Sequence, residues 1–232
     1  MNIDFSPIIE VTELLKLYKS EDLVIIDTSN GQNAKSNYEK KHLDGAIFVD
    51  LNTQLAEIKD DLSIGGRHPL PKIESFSEVL SNLGISEKSH VVIYDDKNGS
   101  NASARFWWML KSIGHEKVQV LNGGFQEAEK QNFPINSNVV TINKTKLYKI
   151  DNWKLKTIEM NEVEKISKDK NYILIDVRDV QRYNGESEPI DLIAGHIPGA
   201  INIPFTENLD KNGLFLSPKE LKEKYKKIFG NI

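Results

Sequence analysis

The stretch VVIYDDKNGSNASARFWWML, Val91 to Leu110, reads as a β-branched strand, a loop of small polar residues and a helix opening at Ala102 or Ser103. Such a loop turns backbone N–H groups inward at a helix N-terminus, which makes an anion cradle of the kind that holds a nucleophile. It offers Asp95, Asp96, Lys97 and Ser100, and the 232-residue chain contains no cysteine. Disulfides and thiolate metal sites are therefore excluded. The five histidines, His42, His68, His90, His115 and His196, lack a ligand spacing, so neither a metal site nor a cofactor is expected. A second group of charges closes YILID, Tyr172 to Asp176, where Asp176 and Arg178 lie at the carboxyl edge at which ligands of parallel sheets collect. An ion pair that shapes the loop and a direct substrate contact both suit these two residues.

The elements that position these groups follow from hydrophobic period. Apolar residues recur at helical spacing over Ile8 to Tyr18, and LVIID, Leu23 to Asp27, is a short buried strand. Phe76 to Leu83 reads as a helix closed by Gly84, Ala102 to Ile113 as a helix closed by Gly114, and VQVL, Val118 to Leu121, as a further strand. Alternating strands and helices imply a parallel, doubly wound α/β layer. Phe106, Trp107 and Trp108 on the cradle helix are expected in a core or at a domain interface. Residues 136–153 are polar, Lys-rich and aperiodic, and read as a linker. Leu221 to Phe229 places Leu221, Tyr225 and Ile228 or Phe229 on one face of an amphipathic helix.

Beyond that linker the pattern returns. Met160 to Ile166 precedes YILID as the first helix precedes LVIID, and GHIPGAINIPF at Gly195 resembles KHLDGAIFVDL at Lys41. Pairing Asp27 with Asp176 and His42 with His196 gives offsets of 149 and 154 residues (176 − 27 and 196 − 42), so the chain is read as an internal repeat. The same offset applied to Tyr94 places a second cradle strand near positions 243–248, beyond Ile232. The second copy is thus expected to be incomplete, the chain being a fragment or the product of an early stop.

Composition narrows the function classes. A net charge of −4, from 30 Lys and Arg against 34 Asp and Glu, gives no footprint for nucleic acid or an anionic membrane. No apolar run reaches a membrane span, and Asp4, Glu10 and Glu13 interrupt any signal-peptide core, so a cytoplasmic location is expected.

Taken together, IDTS at Ile26, KHLDGAIFVDL, GGRHPLP at Gly65, VVIYDD with ARFWWML, VLNGGF at Val120, LIDVRDVQRYNGESEPID at Leu174, AGHIPGAINIPF at Ala194 and LSPKEL at Leu216 resemble the tandem rhodanese-domain sulfurtransferases. That family comprises thiosulfate and 3-mercaptopyruvate sulfurtransferases. The resemblance implies two rhodanese-like doubly wound parallel-sheet domains: a catalytically silent copy over 1–140, a linker over 141–153 and an incomplete second domain over 154–232. It also implies transfer of sulfane sulfur from a small anionic donor, thiosulfate or 3-mercaptopyruvate, through a cysteine persulfide to a thiol or cyanide. A carboxylate cannot replace that soft nucleophile, so the chain alone should be inactive.

In this likeness Asp95 or Asp96 stands where the silent domain carries an aspartate near the cysteine's place. Arg182 matches the arginine that pairs with the donor's anionic end, for which a guanidinium is suited. Asp191 stands where mercaptopyruvate-type members carry a further arginine, which favours thiosulfate. His68 matches a first-domain histidine that approaches the second domain's active loop, and Asn52 replaces a nearby family aspartate. His196 and Pro198 are expected to fix a loop entering a strand. The alternative is a non-catalytic rhodanese-like module that binds an anion or a protein through the cradle from Asp95 to Ser103. The phosphatase use of such a fold also requires a cysteine.

Overall fold

The computed structural model describes residues 5–61 and 64–230, and the chain divides into two compact units, Met1–Leu155 and Lys156–Ile232. In the first unit the elements run β1 (Ile8–Ile9), α1 (Val11–Leu17), β2 (Leu23–Asp27), α2 (Ala34–Lys40), β3 (His42–Leu43), β4 (Ile47–Phe48), α3 (Leu51–Gln54) and α4 (Ile73–Asn82). They continue with β5 (His90–Tyr94), α5 (Ala102–Ile113), β6 (Val118–Leu121), α6 (Gly124–Lys130) and β7 (Ile135–Asn136). Five strands form a parallel sheet in the order β1-β6-β5-β2-β4, while β3 and β7 pair antiparallel beside it.

Side-chain alternation along the central strands builds a core on each face of this sheet. Ile26, Val91, Ile93 and Val118 meet Phe76, Leu80, Phe106, Met109 and Leu110 from α4 and α5. Ile25, Val92, Tyr94 and Leu121 turn the other way, onto Leu14, Ala128 and Phe133. Burial of each large side chain such as Phe76 or Phe106 is worth about 2–3 kcal/mol. Phe106 therefore lies in the core, Trp107 Nε1 donates to the Val118 carbonyl at 3.2 Å, and Trp108 stacks on Trp153 with ring centroids 6.4 Å apart.

Several boundaries differ from the sequence expectation. The helix expected over Ile8 to Tyr18 starts only at Val11, because Ile8 and Ile9 pair with Val120 and Leu121 and Glu10 caps the helix in a capping box with Glu13. The aperiodic stretch read as a linker packs within the first unit: Tyr148 is 7% exposed, its N–H donates to Ser81 Oγ at 2.9 Å, and Trp153 lies against Phe76. Polar residues strap this segment across α4 through hydrogen bonds that leave no hydrophobic period.

The second unit contains α7 (Met160–Ile166), β8 (Ile175–Asp176), α8 (Val180–Asn184), β9 (Ile201–Asn202), a 3-10 turn over Phe205–Asn208 and α9 (Pro218–Phe229). YILID was expected as a five-residue strand, but only Ile175–Asp176 forms ladder bonds, and Tyr172 and Ile173 are exposed. In the first unit β2 has a strand on each side; among the described residues β8 has β9 alone.

The repeat holds at the level of single hydrogen bonds. Ile26 and Asp27 pair with Ile47 and Phe48, as Ile175 and Asp176 pair with Ile201 and Asn202. Tyr38 stacks on His42 and its hydroxyl donates to the Ala46 carbonyl at 2.6 Å, while Tyr183 stacks on His196 and donates to the Ala200 carbonyl at 2.7 Å.

Candidate functional site

At the end of β5 the cradle exists, and its occupant is its own carboxylate. Asp95 is fully buried, with Oδ1 accepting the N–H groups of Lys97 (2.8 Å) and Gly99 (2.9 Å) and Oδ2 those of Asn101 (3.2 Å) and Ser103 (3.1 Å). Four inward donors thus meet one anion built into the chain. Gly99 makes this turn possible: its φ is +77°, and a Cβ there would lie 2.7 Å from the Leu121 carbonyl oxygen. Thr28 Oγ1 ties β2 to the same place, donating to the Tyr94 carbonyl at 3.1 Å and lying 3.2 Å from Ser103 Oγ. The expectation that this cradle could bind an external anion is corrected on this geometry, because its N–H groups already have acceptors.

Asp96 faces away from the cradle toward a cavity of about 450 Å³ that Asp27, Tyr38 and Phe125 also line. Partial desolvation pushes its carboxyl above the usual range, against the opposing charge of Lys97. His68 lies in the first unit with Nε2 3.0 Å from Asn52 Oδ1. Burial, then Arg105 and Arg67, lowers its pKa, so the imidazole favours the neutral form.

In the second unit Asp176, Arg178 and Arg182 come together. Arg178 grips Asp176 with Nε at 3.0 Å from Oδ1 and Nη2 at 2.6 Å from Oδ2, and Nη2 also donates to the Gly195 carbonyl at 2.6 Å. Arg182 forks onto Glu188, with Nε 3.0 Å from Oε2 and Nη2 2.8 Å from Oε1, and Nη2 reaches Asp191 Oδ2 at 2.9 Å. Glu188 is the residue that sequence reasoning missed. Its side chain is 4% exposed, and it joins the two arginines because Arg178 Nη1 lies 3.3 Å from Oε2. The Asp191 backbone N–H, then Arg182 and the Ile190 N–H, hold its carboxyl down at about 2. The available signal was an acid six residues after Arg182 in RYNGESEPID, a stretch that also holds Glu186 and Asp191. Asp176 is likewise held below the usual carboxylate range by Arg178.

Asp176, Arg178, Gly195 and His196 line a cavity of about 520 Å³ whose remaining wall includes Ile175, Ile193 and Ile197. The His196 Nδ1 lies 2.8 Å from the Tyr183 carbonyl, and its ring stacks on Tyr183 at 3.8 Å, which fixes the loop entering β9. Chemically, both guanidinium groups of this unit are already paired, Arg178 with Asp176 and Glu188 and Arg182 with Glu188 and the more exposed Asp191, and the chain supplies no thiol nucleophile.

The sequence matches the rhodanese-like domain model over residues 10–131 and 159–230. The chain belongs to the rhodanese-like domain family, with the domain present in two segments. It is 35% identical over 226 residues to the 3-mercaptopyruvate sulfurtransferase of Mus musculus, covering 93% of this chain and 74% of that protein. It is 36% identical over 204 residues to the thiosulfate sulfurtransferase of Rattus norvegicus, covering 82% of this chain and 64% of that protein. A 3-mercaptopyruvate sulfotransferase structure from Escherichia coli superposes with a TM-score of 0.80 at 26% identity, covering 94% of this chain and 82% of that one.

Proposed function

We propose that this chain is the scaffold and anion-holding part of a sulfurtransferase that moves sulfane sulfur through a cysteine persulfide, with the cysteine supplied by residues outside this sequence. The observation that carries the reading is the joined pair Arg178 and Arg182, placed by the second rhodanese-like segment at the carboxyl end of β8 in a chain related to sulfurtransferases. In the reaction with thiosulfate, a thiolate attacks the outer sulfur, the S–S bond breaks and sulfite leaves with the electron pair. Cyanide carbon then attacks the outer persulfide sulfur, releasing thiocyanate and regenerating the thiolate. With 3-mercaptopyruvate the departing group is pyruvate, formed as its enolate and protonated. Arg182 exchanges Asp191, the more exposed of its two carboxylate partners, for the donor's anionic end, with Asp176 and Arg178 fixing the loop that carries it. Asp191, bonded to Arg182, stands where the resemblance sets a further arginine in mercaptopyruvate-type members, and that difference supports thiosulfate as the donor.

The test is thiocyanate formation from thiosulfate and cyanide. The chain alone should give none, whereas a chimera continuing after Phe229 with the cysteine-bearing segment of the mouse relative should turn over. In that chimera Arg182→Ala should lower kcat/KM by about 100-fold, the scale of losing a charge-assisted contact to the donor. Turnover unchanged by Arg182→Ala would remove the arginine from the donor site, and an inactive but folded chimera would sink the sulfurtransferase reading.

A further inference from the structure

The two units build one arrangement twice and differ in its charges. Asp176 Oδ1 accepts the N–H of Arg178 at 3.0 Å, and Asp27 Oδ1 accepts the N–H of Ser29 at 2.8 Å, the same bond in each copy. Ser29, however, brings no guanidinium. One position before the stacked tyrosine stands Arg182 in the second unit and Asn37 in the first. Both arginines that neutralise acids in one unit are therefore replaced by small neutral residues in the other. Their replacements, Ser29 and Asn37, line the cavity of about 450 Å³ that also receives Asp27, Asp96, Tyr38 and Phe125.

The two aspartates respond in opposite directions. Arg178 holds Asp176 below the usual carboxylate range, whereas burial pushes Asp27 above it, with the charge of Asp96 adding to the effect against hydrogen bonds from Ser29 and Tyr94. The lysines nearby are otherwise engaged or peripheral. Lys41 pairs with Glu129 and lies 5.5 Å over the Phe125 ring, Lys97 Nζ donates to Asn30 Oδ1 at 2.8 Å, and Lys40 is an exposed residue of the lining. Among the described residues no cation forms an ion pair with Asp27 or Asp96.

We propose that this first-unit cavity is a binding site for a small organic cation, an alkylguanidinium or primary ammonium, whose charged head lies at Asp27 and Asp96 and whose apolar body lies along Tyr38 and Phe125. The head occupies the position that the Arg178 guanidinium holds in the second unit. Two carboxylates in a partly desolvated pocket favour a cation, and the rings of Tyr38 and Phe125 in the lining give its alkyl body apolar surface. The site uses no cysteine and no residue of the second unit, so its failure leaves the sulfurtransferase proposal standing.

The experiment is a titration of the full chain followed by amide NMR, with n-butylguanidinium and n-butylammonium chlorides as probes and n-butanol and sodium butyrate as controls at constant ionic strength. Both cations should saturate, with shifts confined to the neighbourhood of Ser29, Tyr38, Asp96 and Phe125, and butyrate should not. Asp96→Asn should weaken binding about tenfold, the loss of one charge-assisted contact. Ser29→Arg, which restores the second unit's guanidinium, should abolish it. Should that buried substitution prevent folding, Asn37→Arg on the exposed helix face serves instead and should weaken cation binding by charge. Butanol or butyrate binding as tightly as the cations, binding indifferent to Asp96→Asn, or no saturation down to a Kd of about 10 mM overturns the site.

Discussion

Replacing Asp95 by Ala strips four backbone donors of their acceptor at once, two of them in residues that are themselves buried, Gly99 and Ser103. Leaving even two buried N–H groups unsatisfied costs about 3 kcal/mol, so Asp95→Ala should lower the unfolding free energy of the first unit by about that amount and move its urea midpoint down accordingly, read from the fluorescence of Trp107, Trp108 and Trp153. Asp95→Asn, which keeps one acceptor oxygen, should lose less; equal midpoints for wild type and Asp95→Ala would refute the role. At Glu188 the prediction concerns pH. Its folded pKa of about 2 lies below the usual glutamate value, so the network's stability is present above about pH 4.3 and is lost as pH falls toward 2. Amide exchange at Ile190 and Asp191, whose N–H groups Glu188 accepts, should accelerate over that window in wild type, and in Glu188→Gln it should already be fast at neutral pH. The sequence made the loop around Asp95 legible because a β-branched strand, small polar residues and a helix follow one another. It did not reveal that the carboxylate turns inward, since that depends on the backbone path through Asn98 and Gly99, both at positive φ.

Among the elements, the strap over residues 142–153 hangs on a buried pair, His115 Nδ1 and the Tyr148 hydroxyl 2.9 Å apart. Burial holds the His115 pKa down at about 4 and pushes the Tyr148 hydroxyl up to about 12. The unfolded chain takes up this proton near pH 6.5 and the folded unit only near 4, so stability falls as pH drops through that interval and levels off below it. The full effect is about 3 kcal/mol, and His115→Gln should flatten the pH dependence of unfolding between 6.5 and 4. A slope unchanged by His115→Gln would place that dependence elsewhere. Phe76→Ala, which opens the contact between α4, Phe106 and Trp153, should cost about 3–5 kcal/mol by calorimetry. Long periodic elements such as α5 were readable residue by residue. The strap and β1 were not, because hydrogen bonds to serines and a two-residue edge pairing leave no period in the sequence.

For the whole molecule the contrast lies between the two units taken separately. The first buries its strands on both sides, while in the second Val177 is 52% exposed, Ile173 47% and Ile193 84%. Few buried contacts mean low local stability, so amides of β8 and β9 should exchange at least about 100-fold faster than those of β5 and β2, and a hydrophobic dye should bind at the second unit. Ile173→Ser with Val177→Ser should reduce dye binding without moving the first unit's unfolding midpoint; uniform exchange protection across both units would contradict this. The repeat itself was plain in the sequence from Asp27 and Asp176. What pattern alone did not show was the full reversal of charge between the copies, since Asn37 and Arg182 align only once the tyrosine–histidine stacks fix the register.

The Asp95 loop carries an implication for which residues such a turn can accept. Its shape demands negative charge whether or not a reaction occurs, because the converging N–H groups repel one another when nothing anionic sits among them. A loop of this shape can therefore change the residue at its centre but not the negative charge that sits there. Aspartate meets that electrostatic demand from within the chain. On this view Asp95→Cys should give a loop that is firm while the sulfur is ionised and slackens as acid neutralises it.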